Sequence, residues 1–100
     1  MATIKVKFHG VIRDITGGPT TEVELSDDAT VMDLLKTLHE KYGQAFYDRV
    51  LDEALGVRTY VRLFLNDEEL DNNALASTKL VTDGVAADAM LYVMPAMTGG

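Results

Sequence analysis

The hydrophobic period changes once in the first forty residues, and that change limits the fold of this chain more than any other feature. From Thr3 to Phe8 apolar and polar residues alternate, with Ile4, Val6 and Phe8 on one side and Lys5 and Lys7 on the other. From Thr21 to Leu25 the alternation returns, with Val23 and Leu25 inward and Glu22 and Glu24 outward. A period of two marks a half-buried strand. Between the two segments, Thr16-Gly17-Gly18-Pro19 has turn chemistry. A hairpin follows, in which Lys5 and Lys7 face Glu22 and Glu24. Beyond Ser26 the period becomes helical. Val31, Leu34, Leu35 and Leu38 recur at i, i+3, i+4 and i+7. Thr30 is placed to cap this helix, Asp33 to close a capping box, and Asp28 to sit near its positive end. Tyr42-Gly43 is its stop signal.

A second helical segment is expected from Ala45 to Leu55, with Phe46, Val50 and Leu51 on one side and Gly56 ending it. Thr59 to Leu65 reads as a third strand. Val61, Leu63 and Leu65 point one way; Tyr60, Arg62 and Phe64 point the other. Asn66 to Leu70 is a tight polar turn leading into a short segment, and residues 71–82 form mostly loop with one helical turn around Leu75. Asp83-Gly84 marks another turn. The last strand runs from Ala89 to Met94, and Pro95, which lacks an N–H, ends its ladder. Hairpin, helix and further strands make an α+β fold: a mixed sheet with one main helix packed across it.

With 100 residues the chain forms one small domain. The pattern assigns residues 1–95 to it and leaves 96–100 as a flexible C-terminal tail. No apolar run is long enough for a membrane span. The opening Met1-Ala2-Thr3-Ile4-Lys5-Val6-Lys7 lacks the pattern of a secretory signal, which predicts a cytoplasmic protein. There is no cysteine, so disulfides, thiolate metal sites and cysteine nucleophiles are excluded. The net charge of −7 argues against a nucleic-acid partner and favours a basic protein partner.

Nothing in the chain reads as catalytic machinery. His9 and His39 are the only histidines, lack metal-ligand spacing and are expected at the surface, so no metal site is predicted. The acidic pairs Asp27-Asp28 and Glu68-Glu69 fall at a helix start and a turn, where carboxylates act as solvated caps and turn formers. No nucleophile triad, P-loop or dinucleotide fingerprint occurs.

Two features point to function instead. The chain closes on Met94-Pro95-Ala96-Met97-Thr98-Gly99-Gly100. Glycine has no Cβ, so a terminal Gly-Gly can thread a narrow slot and present its carboxylate to another protein's active site. The plain alternative is a frayed end. Arg62, Phe64, Tyr92 and Met94 fall on one expected sheet face beside this tail. Their residue types are those enriched at interface hot spots. The alternative for Phe64 is cover by the second helical segment.

The element order together with the Gly-Gly end resembles the ubiquitin-like β-grasp sulfur carriers of the ThiS, MoaD and CysO type. The tail is similar to the apolar-Pro-x-x-x-Gly-Gly ending of the MoaD and CysO types, and Val61 to Leu70 is similar to their strand-turn segment. Thr16-Gly17-Gly18 also has a counterpart in the CysO type. The family's Asp-Gly-Asp before the last strand is altered here to Asp83-Gly84-Val85, with Asp88 later, so this turn is lengthened.

The resemblance implies a fold and a chemistry. The chain would be a β-grasp domain acting as a protein co-substrate, not an enzyme. A ubiquitin-activating-type enzyme would use ATP to adenylate Gly100, and a sulfur donor would displace AMP to leave a thiocarboxylate. An acceptor enzyme would spend that sulfur, similar either to a molybdopterin synthase large subunit or to a cysteine synthase. Gly99 and Gly100 would form the reactive end, and Arg62, Phe64, Tyr92, Met94, Pro95 and Met97 the partner interface. The carrier would bind no cofactor. Two alternatives use the same fold: a ubiquitin-like modifier conjugated through Gly100, and an interaction module that undergoes no chemistry.

Overall fold

A computed structural model describes residues 2–10, 12–51, 61–71 and 74–93. The elements run β1 (Ala2–Gly10), α1 (Ile12–Thr16), β2 (Thr20–Leu25), α2 (Val31–Tyr42), α3 (Gln44–Val50), β3 (Val61–Leu65), β4 (Glu68–Glu69), β5 (Val81–Thr82), β6 (Val85–Ala86) and β7 (Ala89–Val93). Five strands make one sheet in the order β2-β1-β7-β3-β4, and β5 pairs with β6 in a separate two-stranded hairpin. β1 and β7 are parallel, while β2 on β1, and β7 and β4 on β3, are antiparallel. The expected mixed sheet with one main helix across it is therefore present.

The helix α2 begins as its sequence dictates. Thr30 has extended backbone and its Oγ1 accepts from the Asp33 N–H, while Asp33 Oδ2 accepts from the Thr30 N–H at 2.9 Å. This reciprocal capping box satisfies donors that the helix itself cannot. Two further free donors of the first turn find partners in the segment after β4. The Val31 N–H donates to Thr78 O at 2.9 Å and the Met32 N–H to Leu75 O at 3.2 Å. Leu75 is buried beneath that turn. Gly43, at φ 81°, ends α2 in a conformation that L side chains rarely adopt.

Val31, Leu34, Leu35 and Leu38 are all buried and pack in one cluster with Ile4, Val6, Phe8, Val23, Leu63 and Leu91 of the sheet. Phe46, Val50 and Leu51 extend that core under α3. An aromatic row closes its lower end: the Tyr42 ring lies edge-on to Phe8 at 6.0 Å and stacked on Phe46 at 6.2 Å.

Several expectations need correction or completion. α1 was not legible as a helix. It spans only five residues, too few for a period to show, yet Ile12 is fully buried and anchors it. The second helical segment ends at Val50, with Leu51 as its C-cap. The expected continuation to Leu55 and Gly56, and Thr59 and Tyr60 of the third strand, lie outside the described residues. Lys5 does face Glu22, but Lys7 faces Thr20, and Glu24 faces Thr3. The α1 insertion sets this register, with the Phe8 N–H donating to Pro19 O at 2.7 Å. The lengthened turn before the last strand is the β5–β6 hairpin. Asp83 and Gly84 both have positive φ, the signature of a tight two-residue hairpin turn.

Candidate functional site

The parallel pairing of β1 with β7 brings the two ends of the sequence together. Lys7 lies opposite Met90 and His9 opposite Tyr92. On the other side of β7, Phe64 lies opposite Met90 and Arg62 opposite Tyr92. In each pleated strand the alternate residues point to the solvent face. The solvent face at the sheet centre therefore carries Lys5, Lys7 and His9 from β1, Met90 and Tyr92 from β7, and Arg62 and Phe64 from β3. Of these, Lys5, Lys7, His9 and Arg62 are exposed, and Phe64, Met90 and Tyr92 are half-buried.

The site thus unites three of the expected interface residues, Arg62, Phe64 and Tyr92. Met94, Pro95, Met97, Gly99 and Gly100, with the expected tail of 96–100, lie outside the described residues. The alternative, cover of Phe64 by the second helical segment, is not met by α3, the described part of that segment. Phe46 and Val50 of that helix pack into the core on the opposite side of the sheet, and the outward neighbours of Phe64 are Met90 and Glu69.

Local contacts hold these side chains in place. His9 and Tyr92 stack with ring centroids 6.4 Å apart and planes 23° apart. Arg62 Nη1 donates to Glu69 Oε2 at 2.6 Å from the neighbouring strand β4. Both side chains are about half exposed, so the pair contributes at most about 1 kcal/mol. Its larger effect is to fix where the guanidinium stands. At the rim, the β3–β4 turn places Asn66 and Asp67 at positive φ. The Asn66 N–H donates to Asp88 O at 2.9 Å, and Asn66 Oδ1 accepts from the Asp88 N–H at 3.0 Å. These bonds lock the turn to the start of β7. A cleft of about 300 Å³ between them is lined by Lys7, His9, Asn66, Asp67, Asp88 and Met90.

Lys7, His9 and Met90 belong to this face although the sequence singled out none of them as interface residues. Met90 stands two residues before Tyr92, so its face was readable. The placement of Lys7 and His9 against it depends on a parallel pairing between segments more than eighty residues apart, which no local pattern encodes. His39 is half-buried rather than free at the surface, its ring 5.1 Å from that of Tyr47. Among the described residues no group of three or more His, Cys, Asp or Glu side chains is placed to hold a metal ion. No helix among them is long and apolar enough to cross a membrane.

β7 is the central strand and is bonded on both sides up to its last residue: Val93 pairs with Gly10 and with Val61.

A helix crossing a mixed five-strand sheet whose first and last strands run parallel at its centre is the ubiquitin-like β-grasp fold. Solved structures share it. Small archaeal modifier protein 1 from Haloferax volcanii superposes with a TM-score of 0.71 at 22% identity, covering 99% of this chain and 100% of that one. A protein from Pyrococcus furiosus described as molybdopterin converting factor, subunit 1, gives 0.72 at 20% identity, covering 95% and 100%. CysO from Amycolatopsis orientalis, solved in a complex with BexX, gives 0.62 at 23% identity, covering 97% and 99%. The sequence matches the model of the ThiS family over residues 6–100, and the chain belongs to that family. No curated protein matches it.

Proposed function

We propose that this protein is a cytoplasmic sulfur carrier that works through the carboxylate of Gly100. The observation that carries the reading is the combination of ThiS-family membership over residues 6–100 with a Gly-Gly end launched from a doubly bonded central strand. A carboxylate is a poor electrophile until activated. A partner adenylating enzyme would direct a Gly100 oxygen onto the α-phosphorus of ATP, releasing pyrophosphate. The resulting acyl-adenylate would then lose AMP to hydrosulfide released by a sulfur donor, whose sulfur forms the new C–S bond of a thiocarboxylate. An acceptor enzyme would take the sulfur for molybdopterin, cysteine or a related product. The carrier is a co-substrate in this scheme. Its own residues dock, and its tail reaches at most about 25 Å beyond Val93 when seven residues are fully extended.

In this reading Arg62, Phe64 and Tyr92 serve as the docking face, and Met94, Pro95 and Met97, which lie outside the described residues, belong to the same interface as the resemblance implies, with Gly99-Gly100 as the reactive end. Aromatic and Arg anchors on a rigid sheet suit this role.

The test is ATP–pyrophosphate exchange with an adenylating enzyme from the same organism, using the full chain and a Gly100 deletion. Deletion withdraws the carboxylate by about 3.5 Å. A misplacement of about 1 Å can cost on the order of 10²-fold, so exchange should collapse. Undiminished exchange with the deletion would refute the reading. A second reading, conjugation of Gly100 to a lysine of another protein, is kept by the shared fold of the archaeal modifier protein. Intact mass separates the two. A thiocarboxylate adds about 16 Da, the difference between sulfur and oxygen, whereas conjugation adds the mass of a whole protein.

A further inference from the structure

The short helix α1 and the last strand meet at one end of the sheet. Gly10, the last residue of β1, lies opposite Val93, the last described residue of β7. Neighbouring strands stand about 4.8 Å apart. α1 begins two residues after Gly10. With steps of about 3.8 Å between successive Cα atoms, the Cα of Arg13 is at most about 16 Å from that of Val93. Arg13 and Asp14 are exposed here, and with Gly10, Gly17 and Gly18 they line an open cleft of about 440 Å³. This corner is rigid. Ile12 is fully buried, the Gly17 N–H donates to Arg13 O at 3.0 Å, and Thr16 Oγ1 donates to Gly18 O at 2.9 Å. A partner docking here would have little left to order. Gly18 is the informative residue. Its φ lies outside the left-handed region, and a Cβ built on it meets no atom within 4 Å. Glycine at such a position lowers stability by loosening the unfolded chain. The fold gives no reason for it, whereas room for an atom of another molecule does.

We infer that the cleft bounded by Arg13, Asp14 and Gly18 receives the rim of the adenylating enzyme's tail channel. This rests on reading Gly100 as the reactive end. Seven residues follow Val93 and close on Gly-Gly, a reach of at most about 25 Å. An active site that takes the terminal carboxylate down a narrow slot encloses most of those residues. The walls of the slot then end against the carrier close to the peptide bond that joins residue 94 to Val93. Gly10 and Val61 flank Val93 on its two sides, and α1 is the element that follows Gly10. At no more than about 16 Å from Val93, Arg13 stands well inside the reach of the tail. The outward face with Arg62 and Tyr92 borders the same strand end. Contact therefore runs from that face round the end of β1 to the cleft, and the enzyme holds the carrier on two sides of the tail's root.

The test reads docking apart from chemistry. The chain has no cysteine, so Arg13→Cys carries a single benzophenone label on its thiol. Illuminated with an adenylating enzyme from the same organism, that label should cross-link the two proteins. It should still do so in the Gly100 deletion, because docking at the cleft does not use the carboxylate. The same label on Lys36→Cys, on the exposed side of α2, should not. Gly18→Phe should fill the cleft without lowering the melting temperature. It should raise the KM for the carrier in ATP–pyrophosphate exchange at least about tenfold with kcat unchanged, the mark of lost binding rather than lost chemistry. Cross-linking from position 36 as strong as from position 13, or an unchanged KM in Gly18→Phe, would overturn the inference. Altered amide shifts in residues 94–100 of Gly18→Phe, with KM unmoved, would give the cleft to the chain's own tail and overturn it too. Exchange that survives deletion of Gly100 sinks the carrier reading. Exchange lost on that deletion, but equal in Gly18→Phe and the unaltered chain, sinks this inference alone.

Discussion

Replacing Phe64 by Ala separates a docking residue from a core residue in one measurement. Phe64 is half-buried, sits on the solvent face of β3 and has Met90 and Glu69 as its outward neighbours. Full burial of such a side chain is worth about 1.5–3 kcal/mol, so half burial puts the stability cost of Phe64→Ala near 1 kcal/mol. Leu35 provides the scale. It is fully buried in α2, inside the cluster that joins helix to sheet. Leu35→Ala removes those contacts and leaves a cavity, which costs about 2–5 kcal/mol. In a domain of this size 1 kcal/mol moves the melting temperature by about 4–8 °C, so the two variants are easily told apart by urea or thermal unfolding. Affinity should rank the other way. Phe64→Ala should weaken binding to the adenylating enzyme by about 1–3 kcal/mol as an interface anchor, while Leu35→Ala, assayed where it is still folded, should bind nearly as the unaltered chain. If Phe64→Ala destabilises as much as Leu35→Ala and leaves affinity untouched, the residue belongs to the core and the face is not the docking surface.

Other expectations are equally direct. Gly99→Ala should lower the exchange rate without moving the melting temperature, because the added Cβ meets the partner's channel and not this domain; unchanged exchange would argue against a narrow channel. Hydrogen bonding from Thr30, its backbone N–H first, holds the Asp33 carboxyl below its ordinary value of 3.8. A depressed folded pKa gives stability that is present above the unfolded value and lost as pH falls through the folded one. Asp33→Asn should therefore flatten the acid side of the stability–pH curve below about pH 4, with little change in its slope at neutral pH, and an unaltered acid limb would contradict the capping box. Gly84→Ala should cost about 1–2 kcal/mol by denaturant unfolding, since φ is +77° there although no neighbouring atom obstructs a Cβ. A neutral result would mean that the β5–β6 turn relaxes freely.

What the sequence revealed and what it withheld divide along physical lines. Signals carried within one element were legible. The 3.6-residue spacing of Val31, Leu34, Leu35 and Leu38 gave the buried face of α2, and Thr30 with Asp33 gave its cap to the residue. The alternation of Ile4, Val6 and Phe8 gave the inner face of β1. Signals that need two distant segments were not. Lys7 falls opposite Thr20 and not opposite a carboxylate because α1 resets the hairpin register, and α1 is too short to declare itself. The outward sheet face suffered most. Arg62, Phe64 and Tyr92 were found from residue type and parity, but Lys5, Lys7 and His9 join them only through the β1–β7 pairing.

The parallel β1–β7 pair also decides how the domain responds to mechanical load. Val6 to Gly10 lie beside Ala89 to Val93, with both strands pointing the same way. A pull on the segment after Val93, resisted at the start of β1, drives the two strands past each other lengthwise. All the evenly spaced bonds of a parallel ladder then bear the load together, whereas an antiparallel hairpin pulled at its open end parts one bond at a time. β3 bonds the other flank of β7 over the same five residues and resists the same slip. An enzyme that grips the end of this chain and tugs, whether to draw it through a channel or to discard it, works against the strongest direction of the sheet.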